Sequence, residues 1–187
     1  METVRAFIAV ELEAKIQAQL EQIQDELKKS GADVKWVRPE GIHLTLKFLG
    51  SVSLELLEEI KKVLDRLVKT HKSFELDISQ VGAFPTTGHP RVIWVGIGQG
   101  KDESIKLAQA LEEGLIKLGF LREKRLFRPH LTLGRVRSGH NRNQLKSLLL
   151  SVKFLRRTMQ AKKLILFKST LTPQGAIYQP LYEANLS

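Results

Sequence analysis

The tetrapeptide His-Leu-Thr-Leu occurs twice, at 43–46 and at 130–133, and the distance of 87 residues between the copies constrains the fold of this 187-residue chain more than any other feature. Shifted by that distance, Ala6-Phe7-Ile8-Ala9-Val10 falls on Ile93-Trp94-Val95-Gly96-Ile97, and the run beginning at Phe74 falls on Ala161. Between these landmarks, Ile16, Leu20, Ile23 and Leu27 repeat at helical spacing over 13–30, with Gly31 as the stop. A second helix is expected from Ser53, its cap, to about Thr70, a third over 102–118 and a short fourth over 143–150. Each half therefore reads strand, helix, His-Leu-Thr-Leu strand, helix, strand, the pattern of an internal duplication. The order predicts an α+β fold, and with no linker in the chain the two lobes make one domain over 1–187. Gly82 to Pro90 reads as a loop by composition, Ser138 to Asn143 as a basic loop, and Thr172-Pro173-Gln174-Gly175 as a turn before a last strand over 177–183.

Residues two apart on a strand share a face. That parity groups His43 with Thr45 and Lys47 and leaves Leu44, Leu46 and Phe48 for the core. It repeats with His130 and Thr132 opposite Leu131 and Leu133. Two lobes with one histidine each place the pair across a shared cleft. An imidazole exchanges protons near neutral pH. Two of them beside one phosphorus divide the work: one deprotonates a nucleophile, and the other protonates the departing oxygen. The threonine hydroxyls can donate to the non-bridging oxygens, where charge accumulates. No metal or other cofactor is required. A zinc site needs further ligands, and the sequence has no cysteine and no helical His-Glu-x-x-His.

Charge narrows the partner. From Lys117 to Lys168 fifteen Lys and Arg stand against one acid, Glu123, a local charge of +14 within a chain of +10. Such a segment suits a polyanion. No stretch is long and apolar enough to span a bilayer or to serve as a signal core, so the expected place is the cytoplasm. No Gly-rich nucleotide fingerprint is present.

Gly41-Ile42-His43-Leu44-Thr45-Leu46-Lys47-Phe48-Leu49-Gly50 and Arg128-Pro129-His130-Leu131-Thr132-Leu133-Gly134-Arg135 resemble the paired motifs of the 2H phosphoesterase superfamily. More narrowly, they resemble its RNA 2′,3′-cyclic phosphodiesterases, also called 2′-5′ RNA ligases. Arg5 to Val10 and Ser169 to Tyr178 match the same family, so the resemblance covers nearly the whole chain. It implies a bilobal fold of two antiparallel sheets facing a central cleft, helices outside. It implies hydrolysis of a terminal RNA 2′,3′-cyclic phosphate to a 2′-phosphate, with His43 as proton donor to the 3′ oxygen and His130 as proton acceptor from water. The near-identical motif copies do not by themselves say which histidine has which part. The family also implies ATP-independent joining of tRNA halves, in which an RNA 5′-hydroxyl replaces water. Water at about 55 M outcompetes a dilute hydroxyl that the site does not orient, which ranks hydrolysis first.

Around the pair, Arg128 is held extended by Pro129 and is expected at the cleft. Arg135 is the phosphate contact that the resemblance implies, yet simple parity puts it opposite His130; a bulge or strand end at Gly134 would bring it to the cleft, and otherwise it is a surface residue. Lys47 is either an asymmetric phosphate contact or a solvated lysine, and Phe127 either stacks a base or packs in the core. Trp36 and Trp94 are expected in the core, and His71, His89 and His140 in solvent. The partner is RNA, the expected state a monomer. Two rivals stand beside the enzyme: an RNA-binding module without catalysis, and a small-molecule cyclic phosphodiesterase. The first leaves the repeated His and Thr without a task, and the second leaves the long basic segment without one.

Overall fold

The computed structural model describes residues 2–173 and 175–187. The chain order is β1 (Thr3–Val10), α1 (Ala14–Lys28), β2 (Val34–Trp36), a single 3-10 turn (Pro39–Gly41), β3 (Leu44–Ser53), α2 (Leu54–Val68), β4 (Phe74–Thr86), β5 (His89–Ile97), α3 (Lys101–Ile116), β6 (His130–Val136), α4 (Arg142–Ser151), β7 (Thr158–Ala161), β8 (Lys163–Thr172) and β9 (Gly175–Asn185). Two antiparallel sheets result, ordered β3-β1-β8-β9 and β2-β6-β5-β4-β7.

The four expected helices form where the apolar spacing placed them. Ser53 caps α2 as expected, its hydroxyl accepting from the Leu56 N–H at 3.2 Å. Two local readings are corrected. Gly82 to Pro90 is not a loop: β4 runs on through Phe84 to Thr86 and turns at Thr87-Gly88 into β5, with Phe84 paired to Val92. Ladder hydrogen bonds to β5 outweigh the local preference of Gly and Pro for turns. The short strand β7 was also not expected; it pairs Phe74 to Asp77 of β4. Of the turn at 172–175, Gln174 lies outside the described residues.

The halves interlock. β4 follows α2 in the first half but lies beside β5 of the second; β8 follows α4 in the second half but lies beside β1 of the first. The helices exchange too. α1 packs with α4, and α3 packs with α2 and β3. Gly114 of α3 lets that helix lie close against α2: a Cβ there would come within 2.6 Å of Val63. One continuous apolar core joins the helices to one face of each sheet, from Ile8, Ile16 and Leu44 to Ile93, Leu131 and Leu145. The other sheet faces are left to the cleft, and β3 and β6, the two histidine strands, come into contact with one another.

Candidate active site

His43 ends the link from the 3-10 turn into β3. The residue is 8% exposed, its ring packed 4.5 Å from Phe167 and 5.6 Å edge-on to Tyr178, between ring centroids. Its Nδ1–H donates to the Gly41 carbonyl at 3.0 Å. A carbonyl only accepts, so Nδ1 carries the hydrogen and Nε2 is left for chemistry. His130 opens β6 and repeats the arrangement: its Nδ1–H donates to the Arg128 carbonyl at 2.6 Å, and its ring meets Phe84 edge-on at 5.2 Å. In both lobes the anchoring carbonyl lies two residues before the histidine. Burial lowers the pKa of His43, and the Gly41 hydrogen bond opposes that shift.

Thr45 and Thr132, both half-buried, lie two residues beyond the histidines and face the same way. Past them the ladders are irregular. Thr45 pairs Ala9 and Lys47 pairs Ile8, so Leu46 is an extra residue against β1. Thr132 pairs Trp94 and Gly134 pairs Ile93, so Leu133 is the extra residue against β5. Each bulge resets the alternation.

The bulges decide two sequence expectations in opposite directions. Arg135, opposite Val92, returns to the face of His130 and Thr132 and is exposed there. Lys47 is carried away from the cleft. Its side chain is 6% exposed and binds Glu112 of α3 at 3.0 Å and Glu123 at 3.1 Å, with the Leu121 carbonyl at 3.3 Å. It is therefore neither a phosphate contact nor a solvated lysine. Phe48, assigned to the core by simple parity, is instead 64% exposed on the cleft face, across from Phe7 at 5.9 Å.

The remaining residues resolve individually. Arg128 is exposed, and its carbonyl rather than its guanidinium touches His130. Phe127 is half-buried and packs against the core. Trp36 joins the core as expected. Trp94 does not: it pairs with Thr132, lies across Gly82 and sits 5.1 Å from Phe84, on the face that carries His130. His89 and His140 are exposed, but His71 is half-buried, donating from Nδ1 to the Leu67 carbonyl at 2.9 Å. Sequence reasoning missed the aromatic walls, Phe7, Phe167 and Tyr178 beside His43 and Phe84 with Trp94 beside His130. The signal was available in β1, whose Phe7 and Ala9 alternate with Ala6, Ile8 and Val10, apolar on both faces.

The family model for LigT-like phosphoesterases matches this chain twice, over residues 10–94 and 95–178. The chain belongs to the LigT-like phosphoesterase family. The two matched segments are successive halves of the sequence, each holding one His-Leu-Thr-Leu copy. Among similar LigT-like proteins, the RNA 2′,3′-cyclic phosphodiesterase of Methanothermobacter thermautotrophicus is 37% identical over 94% of this chain and 95% of its own. The protein of that name from Archaeoglobus fulgidus is 39% identical over 95% and 98%. The crystal structure of a Thermus thermophilus protein superposes with TM-score 0.81 at 26% identity, covering 97% of each chain. Escherichia coli LigT solved with 3′-AMP shares the fold, with TM-score 0.78 at 24% identity over 100% and 99%. This LigT-like chain is accordingly a phosphodiesterase by family, with its two motif histidines on matched strands. Among the described residues no helix is long and apolar enough to cross a membrane, and no group of three His, Cys, Asp or Glu converges as a metal cluster.

Proposed function

We propose that this protein hydrolyses the 2′,3′-cyclic phosphate at an RNA end to a 2′-phosphomonoester, as a single domain over 1–187 and without a metal. The observation that carries the proposal is the matched pair of imidazoles. Each is fixed by an Nδ1 hydrogen bond to a carbonyl two residues back, and each keeps Nε2 available on the cleft-facing side of its strand. The names of the relatives supply the substrate, and the basic segment 117–168 suits a polyanion.

In this mechanism His130 takes a proton from water as the water oxygen bonds to phosphorus. The P–O3′ bond breaks, and His43 delivers its Nε2 proton to the departing O3′. The products are a 3′-hydroxyl and a 2′-phosphate, and exchange with solvent returns each histidine to its starting state. Thr45 and Thr132 donate to the non-bridging oxygens as their charge grows. The burial that lowers the pKa of His43 disfavours its imidazolium in the free protein. The anionic phosphate favours that charged form, so the donor is loaded when substrate is bound, and its lowered pKa makes it a readier acid.

The same geometry run with an RNA 5′-hydroxyl in place of water joins two ends, such as tRNA halves, through a 2′-5′ linkage. The test is to incubate cyclic-ended RNA with the protein, alone and with a 5′-hydroxyl RNA, and to resolve the products. A 2′-phosphate in the first reaction is expected, with a ligated 2′-5′ product as a minor species in the second. A 3′-phosphate, or RNA bound but unchanged, contradicts the proposal.

A further inference from the structure

The two histidines are held alike, but the sheets beside them differ. In the second lobe Thr132 pairs Trp94, and two residues further along β5 Gly96 lies opposite His130. On its other side Gly96 meets a third bulge. Ile78 pairs Ile97 and Val81 pairs Val95, so Ser79 and Gln80 of β4 together face Gly96. With no side chain of its own, Gly96 leaves a gap in the cleft-facing layer between His130 and that bulge. A Cβ there would meet the Ser79 Oγ at 3.2 Å, Trp94 at 3.3 Å and the Gln80 Cγ at 3.6 Å. Trp94 lies on the face that carries His130, so Ser79 and Gln80 border the gap on that same face. Ser79 is half-buried and Gln80 exposed. A regular strand alternates its side chains between faces; the bulge brings two polar ones to this one place.

The first lobe is built differently at the corresponding place. There Thr45 pairs Ala9 and Leu44 pairs Val10, so the residue that corresponds to Gly96 is Glu11, two past Ala9. Glu11 has a side chain, and its carboxylate is turned to Lys163 at 3.7 Å, which Glu183 also binds at 2.7 Å. The rings around His43 are those of Phe7, Phe167 and Tyr178. The gap bordered by a hydroxyl and an amide thus belongs to the lobe of His130, and the more enclosed aromatic setting to His43.

We propose that Gln80 and Ser79 seat the attacking water beside His130. This rests on the hydrolysis reading above and deepens it, because two histidines in matched hydrogen bonds do not by themselves decide which one activates water. A water molecule has two hydrogens and two lone pairs. One hydrogen points to the His130 Nε2 and is the proton transferred as the oxygen bonds to phosphorus. The other is accepted by the Gln80 amide oxygen and stays on the phosphate that forms. The Ser79 hydroxyl donates to one lone pair, which leaves the other directed at phosphorus. The P–O3′ bond breaks on the opposite side, where His43 supplies the proton. Gln80 and Ser79 touch the reacting oxygen and are catalytic residues; Gly96 makes the room for it.

Methanol separates these roles, because it has one hydrogen for His130 and a methyl group where water has its second. An RNA oligonucleotide ending in a 2′,3′-cyclic phosphate is turned over in water–methanol by wild type, Gln80→Leu and Ser79→Ala, and the 2′-phosphate and its methyl ester are resolved. Gln80→Leu is expected to lose about tenfold in kcat for hydrolysis, the scale of one hydrogen bond to the reacting oxygen, with KM near that of wild type. Methanolysis needs no second acceptor, so the ratio of methyl ester to phosphate is expected to rise about tenfold. That ratio is read from active molecules alone and does not depend on how much of the variant folds. Ser79→Ala is expected to lower kcat for both nucleophiles together and to keep the wild-type ratio. An unchanged ratio in Gln80→Leu, or a raised KM with kcat kept, overturns the role of Gln80. A wild-type kcat in Ser79→Ala overturns that of Ser79. A wild type that forms neither product contradicts the hydrolysis reading itself, whereas an active wild type with unaltered variants overturns the water seat alone.

Discussion

His130 leans its Nδ1–H on the carbonyl of Arg128, 2.6 Å away, just as His43 leans on Gly41 at 3.0 Å. The bond sets the tautomer: with Nδ1 protonated, Nε2 alone can accept or deliver a proton in the cleft. Nitrogen NMR of the two imidazoles at a pH where both are neutral is expected to show Nδ1–H tautomers, with Nε2 as the unprotonated nitrogen. An Nε2–H tautomer at either site contradicts this account of the pair.

The burial of His43 gives a pH dependence with a definite sign. Its pKa lies below the ordinary imidazole value because Phe167, Phe7 and Tyr178 exclude water, with the Gly41 hydrogen bond working against the shift. The unfolded chain, with an imidazole near ~6.5, takes up this proton first as pH falls. The contribution of His43 to stability is therefore complete above that value and is lost as pH falls through it toward the folded-state pKa. Urea unfolding of wild type and His43→Asn across this window is expected to show a stability slope that the variant lacks. Phe167→Ala, by admitting water, is expected to raise the His43 titration midpoint in an NMR pH series. A midpoint that stays put or falls contradicts the desolvation cause.

Lys47 is a fold residue inside a motif of chemistry. With its side chain 6% exposed and Glu112 only 17%, the pair is buried enough that removing one partner strands the other; Glu123, at 62%, contributes little. Lys47→Met is expected to destabilise the protein by about 3 kcal/mol, the lower end for a broken buried pair. Lys47→Met with Glu112→Leu is expected to recover most of that loss, since both charges leave together. Denaturant titration of the two variants measures this. Equal destabilisation in both shows that packing rather than charge is at stake.

Gly82 is required by Trp94. The two are opposed in the β4–β5 ladder, and a Cβ on Gly82 would come within 2.4 Å of the indole. Gly82→Ala is expected to cost about 1–3 kcal/mol through overpacking and to displace Trp94 from Phe84, the neighbour of His130. The checks are the denaturation midpoint and the tryptophan emission maximum. An unshifted emission with full stability shows that the indole has another place to go.

The duplication, the histidines and the threonines were legible because they rest on strand periodicity and on repetition, which a single sequence displays. What lay beyond Leu46 and Leu133 was not, because a bulge is written in the ladder rather than in the strand. One extra residue moved Lys47 to the helices, brought Phe48 into the cleft and returned Arg135 to the face that parity denied it. The β4–β5 hairpin was hidden by its own Gly and Pro content, and β7 by its length of four residues. The exchange of β4 and β8 between lobes depends on which sheet edge each strand meets, a long-range choice that no local pattern records.

The central claim is that two histidines, and no metal, perform the chemistry. The direct measurement is turnover of an RNA oligonucleotide ending in a 2′,3′-cyclic phosphate, in EDTA, by wild type, His43→Ala and His130→Ala, each first shown to be folded. The account predicts that wild type forms the 2′-phosphate with EDTA present and that each variant loses at least about a hundredfold in rate, the scale of a lost general acid or base. A wild type silenced by EDTA, or either variant turning over at the wild-type rate, contradicts it.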